Sequence, residues 1–266
     1  MTGGAADRWR PAFGPLALLL GFIGGNLVGA IVVAGVPGGV SNGTASPAAI
    51  DIGTVILDVA FVTAAVLFAR RVGRPRPRDF GLAGSPLPRM LGVLALAVVA
   101  FIVVTTVWFA AVNSSGQEHQ LVKDVGGYGG TLTVIVACAV TCVVAPICEE
   151  FLFRGFVYRS LRNWRGIWPA ALITGLLFGA VHGLSAPAVD LLPLAFLGIV
   201  LCLVYQATGS LYPCIAMHVL NNAIAFGSDE HWNWRTVELA VAALATVALV
   251  LACVRLASAR WTPATD

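Results

Sequence analysis

Residues 131–166 read TLTVIVACAVTCVVAPICEEFLFRGFVYRSLRNWRG. Nothing in this run is charged before Glu149. Then Cys148-Glu149-Glu150-Phe151-Leu152-Phe153-Arg154 sets two adjacent carboxylates and an arginine into a stretch otherwise apolar enough to span a membrane. In a helix, Glu150 and Arg154 are four apart and share a face, so they can pair. Glu149 is rotated from Glu150 by about 100° and has no cation on the segment to meet. An unpaired carboxylate in a hydrophobic span costs a few kcal/mol and marks a functional site by default. Pro146 lacks an N–H, which is expected to leave the carbonyl of Cys142 without its helical partner. A kink or a wet pocket beside Glu149 follows, and a plain packing kink is the alternative.

The rest of the chain agrees with a membrane reading. Of 266 residues, 58% are hydrophobic and only 11% charged, against about 25% charged in soluble domains. The expected fold is all-α, a polytopic bundle of about eight transmembrane helices forming one domain over residues 1–266. The polar motifs sit in a core of about 132–227. The other spans are read as Leu16–Val36, Ile50–Ala69, Met90–Ala111, Ile167–His182, Val189–Ala207, Leu211–Phe226 and Val237–Leu256. The first exceeds the 7–15 apolar residues of a signal peptide, and its Gly24, Gly25 and Gly29 suit close helix packing. The second carries Asp58 well inside, where a carboxylate needs a partner or a wet cavity. Loops are expected at Pro37–Pro47, at the arginine-rich Arg70–Arg78, at Asn113–Gly130, and at Ser228–Arg235, whose Trp232 and Trp234 suit a membrane interface.

Cys138, Cys142, Cys148, Cys202, Cys214 and Cys253 all fall in apolar runs and read as small buried hydrophobes rather than disulfides. The formal net charge of +3 reflects arginines at one end of the bundle, not a nucleic-acid surface. Arg8, Arg10, the 70–78 cluster, Arg89, Arg159, Arg162, Arg165, Arg255 and Arg260 share the N-terminal side; Lys123 and Arg235 face the other. Cytoplasmic loops carry the Lys/Arg excess, so both termini are expected in the cytoplasm, with the bacterial cytoplasmic membrane as the location.

Two further spans carry polar pairs at helical spacing, Phe178 with His182 in LLFGAVH and His218 with Asn222 in HVLNN. Glu149 lies about fifteen residues before the turn near Asn163–Arg165, and His182 about eighteen after it. At 1.5 Å per residue the two reach similar depth. His218 is only about seven residues from its own loop, so either the Glu149 hairpin protrudes or the seventh span starts deeper. Each pair alone also fits ordinary interhelical hydrogen bonding. Together they exceed what packing requires.

EEFLFR resembles the E-E-x-x-x-R motif of the CPBP family of intramembrane proteases, which includes the CAAX prenyl endopeptidases and the bacterial Abi proteins. FGAVH resembles its F-x-x-x-H motif and HVLNN its H-x-x-x-N motif, in family order. The resemblance implies peptide-bond hydrolysis without a covalent intermediate. Glu149 would be the general base, His182 would position the water, and His218 and Asn222 would stabilise the oxyanion. Glu150, Arg154 and Phe178 would support them. Asn222 rather than Asn221 matches the motif. The implied chemistry uses no cofactor, with zinc on Glu149, His182 and His218 as the alternative. The implied partners are the lipid bilayer and a peptide or protein substrate near it, entering from the cytoplasm or laterally from lipid. A proton relay through Asp58, Glu149, His182 and His218 would instead make a transporter, and a non-catalytic scaffold or immunity protein is the third reading.

Overall fold

The computed structural model describes residues 9–41, 43–112, 131–229 and 232–260. The expected Asn113–Gly130 loop, Lys123 and Arg8 lie outside the described residues. Eight long helices are present: α1 (Phe13–Gly35), α2 (Pro47–Arg70), α3 (Leu87–Ala111), α4 (Thr131–Arg165), α5 (Ile167–Val181), α6 (Leu191–Thr208), α7 (Leu211–Asp229) and α8 (Arg235–Arg260). A two-residue hairpin, β1 (Val40–Ser41) with β2 (Thr44–Ala45), joins α1 to α2. Pro47 opens α2 at a position where its missing N–H costs nothing, and the Ser46 hydroxyl accepts from the Ala49 N–H at 3.3 Å.

Among the described residues, seven helices are long and apolar enough to cross a membrane. The eighth, α7, is long enough, but Tyr212, Pro213, His218, Asn221 and Asn222 dilute its hydropathy. Its burial matches that composition. Leu211, Cys214, Ile215, Val219 and Ala223 are fully buried, so α7 is a central strut, with its polar residues turned into protein. The opposite extreme is α3, where only Ala97 is buried. Its exposed valines and leucines face the surroundings, as a lipid-facing helix must.

Neighbours in sequence pack as antiparallel pairs, α1 on α2, α5 on α6 and α7 on α8, while α2 lies against α4 and α3 against α6. The α1–α2 seam runs along Gly21, Gly25 and Gly29, where a Cβ on Gly25 would come within 3.0 Å of the Leu57 Cα. Gly24, expected in that seam, faces open space instead, because it is one residue out of register. The α5–α6 crossing is tighter. A Cβ on Gly198 would stand 2.7 Å from the Gly175 Cα, and one on Gly179 would stand 2.6 Å from the Leu191 carbonyl. Gly175-Leu-Leu-Phe-Gly179 is thus a small-xxx-small packing motif.

One end of the bundle is closed by an aromatic plug. Trp9 is 2% exposed and packs on Phe156 and Phe80 at centroid distances of 4.7 and 5.2 Å. The loop after α2 folds beneath the helices here. Its arginines stay exposed, but Asp79 and Phe80 are buried. Gly81 turns with φ +90°, and a side chain there would run into the Tyr205 ring. The Gly81 carbonyl then accepts the Leu211 N–H at 2.9 Å, caring for an orphan donor at the start of α7. No cysteine forms a disulfide among the described residues. Cys253 is exposed rather than buried, because it lies on the outward face of α8.

Candidate active site

The helix that carries Glu149 is not a regular one. α4 widens twice, over Val140–Val144 and again over Phe153–Tyr158, into wide turns with i→i+5 bonding. Such turns often accompany functional sites. The first explains how Pro146 is accommodated. The Ala145 N–H bonds back to the Val140 carbonyl, five residues away. In that register the partner of the Thr141 carbonyl would be the nitrogen of Pro146, which has no hydrogen. Thr141, not Cys142, is therefore the orphan, since the wide turn shifts the gap by one residue. Asn222 of α7 fills it, its Nδ2 donating to the Thr141 carbonyl at 2.9 Å.

Between the two wide turns stand Glu149 and Glu150. Glu150 and Arg154 are both fully buried, and Arg154 Nη1 donates to Glu150 Oε1 at 2.6 Å. Arg154 Nη2 reaches across to the Gly198 carbonyl at 3.1 Å, available because α5 and α6 cross so closely there. The guanidinium also lies 4.6 Å from the centre of the Phe178 ring. Phe178, fully buried, touches both site histidines as well, with centroids 4.8 Å from His182 and 5.5 Å from His218. It fixes three groups at once.

The histidines are oriented by their Nδ1 atoms. His182 sits where α5 tightens into a 3-10 turn, and its backbone N–H goes to Gly179 and Ala180. The Phe178 carbonyl, passed over by that turn, accepts the imidazole Nδ1–H at 2.7 Å. A carbonyl only accepts, so Nδ1 carries hydrogen. His218 Nδ1 lies 2.9 Å from Glu150 Oε1 and donates to the carboxylate that Arg154 already pairs with. Both rings thereby turn Nε2 toward Glu149, each 3.9 Å from Oε2. That oxygen is buried and makes no hydrogen bond. The gap is too long for a direct bond, while one small oxygen-bearing group at hydrogen-bond distance, about 2.8 Å, could touch all three atoms.

The two depths left open by the sequence are reconciled by the loop under α7. Leu211 bonds to Gly81, and Phe80 lies against Gly155, where a Cβ would be 3.0 Å from the Phe80 carbonyl. α7 therefore begins at the level of Gly155, and the α4–α5 turn projects beyond it. From there Glu149 is six residues back and His218 seven residues on. Both alternatives hold together.

Glu149, His182 and Asn222 open on a cavity of about 680 Å³, enclosed by the second half of α1, the first half of α2, the end of α3 and the α5–α6 connection. Glu149 and His182 are 15% and 21% exposed at the side chain, and His218 only 3%. Asn222 is brought to the cavity but not onto His218. Its observed partners are Thr141 and Asn221, whose Nδ2 donates to its Oδ1 at 3.2 Å. Asp58 stays outside the cavity. It is 2% exposed, with Oδ2 lacking a hydrogen bond, and it lies near Glu149. Among the described residues no three His, Cys, Asp or Glu side chains gather closely enough to hold a metal ion. The sequence reading missed the carbonyls of Thr141 and Gly198. Only the proline and the Gly175–Gly179 motif hinted at them.

Residues 131–224 match the family model described as Rce1-like, type II CAAX prenyl endopeptidase Rce1-like. Over 89 residues the chain is 34% identical to an uncharacterised 24.3 kDa protein of Escherichia coli, a match covering 32% of this chain and 41% of that protein. The chain thus spans about two fifths of the length of the curated relative it matches. No solved structure matches it.

Proposed function

From the match of residues 131–224 to the family model of type II CAAX prenyl endopeptidases, we infer that this chain is a membrane endopeptidase whose general base is Glu149. The supporting observation is the convergence of Glu149 Oε2 with both imidazole Nε2 atoms at 3.9 Å. A water in that gap would donate one hydrogen to Glu149 and the other to the lone pair at His182 Nε2. Its own lone pair would then face a peptide carbonyl in the cavity. Attack forms the new C–O bond as the proton passes to Glu149. The same proton is then delivered to the departing amine as the C–N bond breaks, so the carboxylate ends as it began.

Stabilising the oxyanion asks more of His218. With Nδ1–H given to Glu150, a neutral His218 has no donor at Nε2. It therefore acts as the imidazolium, with the Glu150 carboxylate as its acceptor. Asn222 has one N–H committed to Thr141 and a second to offer. The location that suits this reading is a bacterial cytoplasmic membrane.

Glu149, His182 and His218 include the residue types that bind zinc. Our reading gives their shared gap to water. Cleavage of a panel of membrane-tethered peptides by purified wild type and not by Glu149→Gln is the expected result. Equal cleavage by both would remove Glu149 from its role. Loss of activity in phenanthroline, restored by stoichiometric zinc, would replace water with a metal.

A further inference from the structure

The cavity and the arginines occupy opposite ends of the molecule. Of the fourteen Lys and Arg among the described residues, twelve fall where α1 begins, α2 meets α3, α4 meets α5, and α8 finishes; Arg154 is in the site, and Arg235 is at the other end. The structure joins these basic segments, because Arg159 donates to the Asp79 carbonyl and lies over the Trp9 ring. That end is plugged by Trp9, Phe80 and Phe156. The cavity runs from Glu149 the other way. It passes Gly29 and Val33 of α1, Ala49 of α2 and Phe109 of α3, and reaches Ser185 beyond α5.

Since the Lys/Arg-rich end of a membrane protein faces the cytoplasm, we propose that the site opens away from the cytoplasm. On the protease reading above, its substrate is the extracytoplasmic juxtamembrane segment of another membrane protein. The cavity's chemistry narrows this further. Asp51, Glu149 and Asp190 contribute carboxylates to the lining, and among the described residues no Lys or Arg lines it. A peptide ending in a free carboxylate would meet these carboxylates along the cavity, with no Lys or Arg among the described lining residues to pair with. An internal bond flanked by apolar and neutral or basic residues meets Phe22, Leu57, Phe101 and Phe226 instead. This takes the place of the cytoplasmic access implied by the family resemblance.

The experiment has two arms. In right-side-out membrane vesicles, a membrane-impermeant maleimide is applied to Ser185→Cys, at the cavity mouth, and to Arg78→Cys, exposed at the basic end, each against the parent chain. Labelling of Ser185→Cys at once, and of Arg78→Cys only after permeabilisation, is expected. The reverse pattern overturns the proposal, and it does so whether or not the chain cleaves anything. In the second arm, one apolar test peptide is placed at the extracytoplasmic or the cytoplasmic end of the same single-span carrier. Wild type should cleave the first at least tenfold faster, and Glu149→Gln neither. Faster cleavage of the cytoplasmic carrier overturns the substrate assignment. No cleavage of either by wild type counts against the protease reading, while the labelling arm still decides the direction of access.

Discussion

Glu149 and Glu150 are adjacent carboxylates with opposite consequences for the fold. Glu150 Oε1 serves Arg154 and His218 together, in a place without solvent. Glu150→Ala would leave Arg154 charged and fully buried. Removing one partner of a buried pair costs about 3–5 kcal/mol, so a marked fall in the detergent melting temperature and in folded yield is expected. A variant melting like wild type would show that the pair is not structural. Glu149 Oε2 has no hydrogen bond, so Glu149→Gln removes a poorly solvated charge at constant shape. Its melting temperature should equal or exceed that of wild type, while the proposed cleavage is lost. A melt lowered as far as that of Glu150→Ala would mean that Glu149 holds the fold rather than the chemistry.

At the scale of the helices, the crossing of α5 and α6 positions the Arg154 anchor. The Gly198 carbonyl reaches Arg154 only because Gly175 and Gly198 let two backbones touch. In Gly198→Ala the new methyl falls 2.7 Å from the Gly175 Cα, and overpacking of this kind costs about 1–3 kcal/mol. Since Phe178 lies between Gly175 and Gly179, the same shift displaces the ring that touches both histidines. The expected outcome is a lower melting temperature together with slower cleavage, whereas Ala→Ser changes on the exposed face of α3 should alter neither. The helices were legible in the sequence because unbroken apolar runs of about 20 residues have few other solutions. The facing of Glu150 on Arg154 was legible because four residues make about one turn. The first wide turn was not, since it accommodates Pro146 with the help of an amide from α7, a residue distant in the chain. That is why the orphan carbonyl is Thr141 rather than Cys142.

Across the whole molecule the two ends do different work, and the sequence showed this only in part. Arginine placement revealed which loops share an end. It did not reveal that Trp9, in a short polar leader, is buried there, or that the arginine-rich loop turns at Gly81 to support α7. Those contacts join residues about seventy to one hundred and fifty positions apart, and no local pattern encodes them. Their role is separable from the site. Trp9 packs on Phe156, seven residues from Glu149 and so about 10 Å along α4, on the side away from the cavity. Truncating a buried aromatic costs about 3–5 kcal/mol, so Trp9→Ala should lower the melting temperature substantially. Because the plug supports the start of α7 without touching Glu149, His182 or His218, cleavage per folded molecule should stay within about twofold of wild type. The measurement is a melt of purified protein in detergent paired with initial rates normalised to folded fraction. A rate that falls with stability unchanged would mean that the basic end, not the cavity, is where substrate is received.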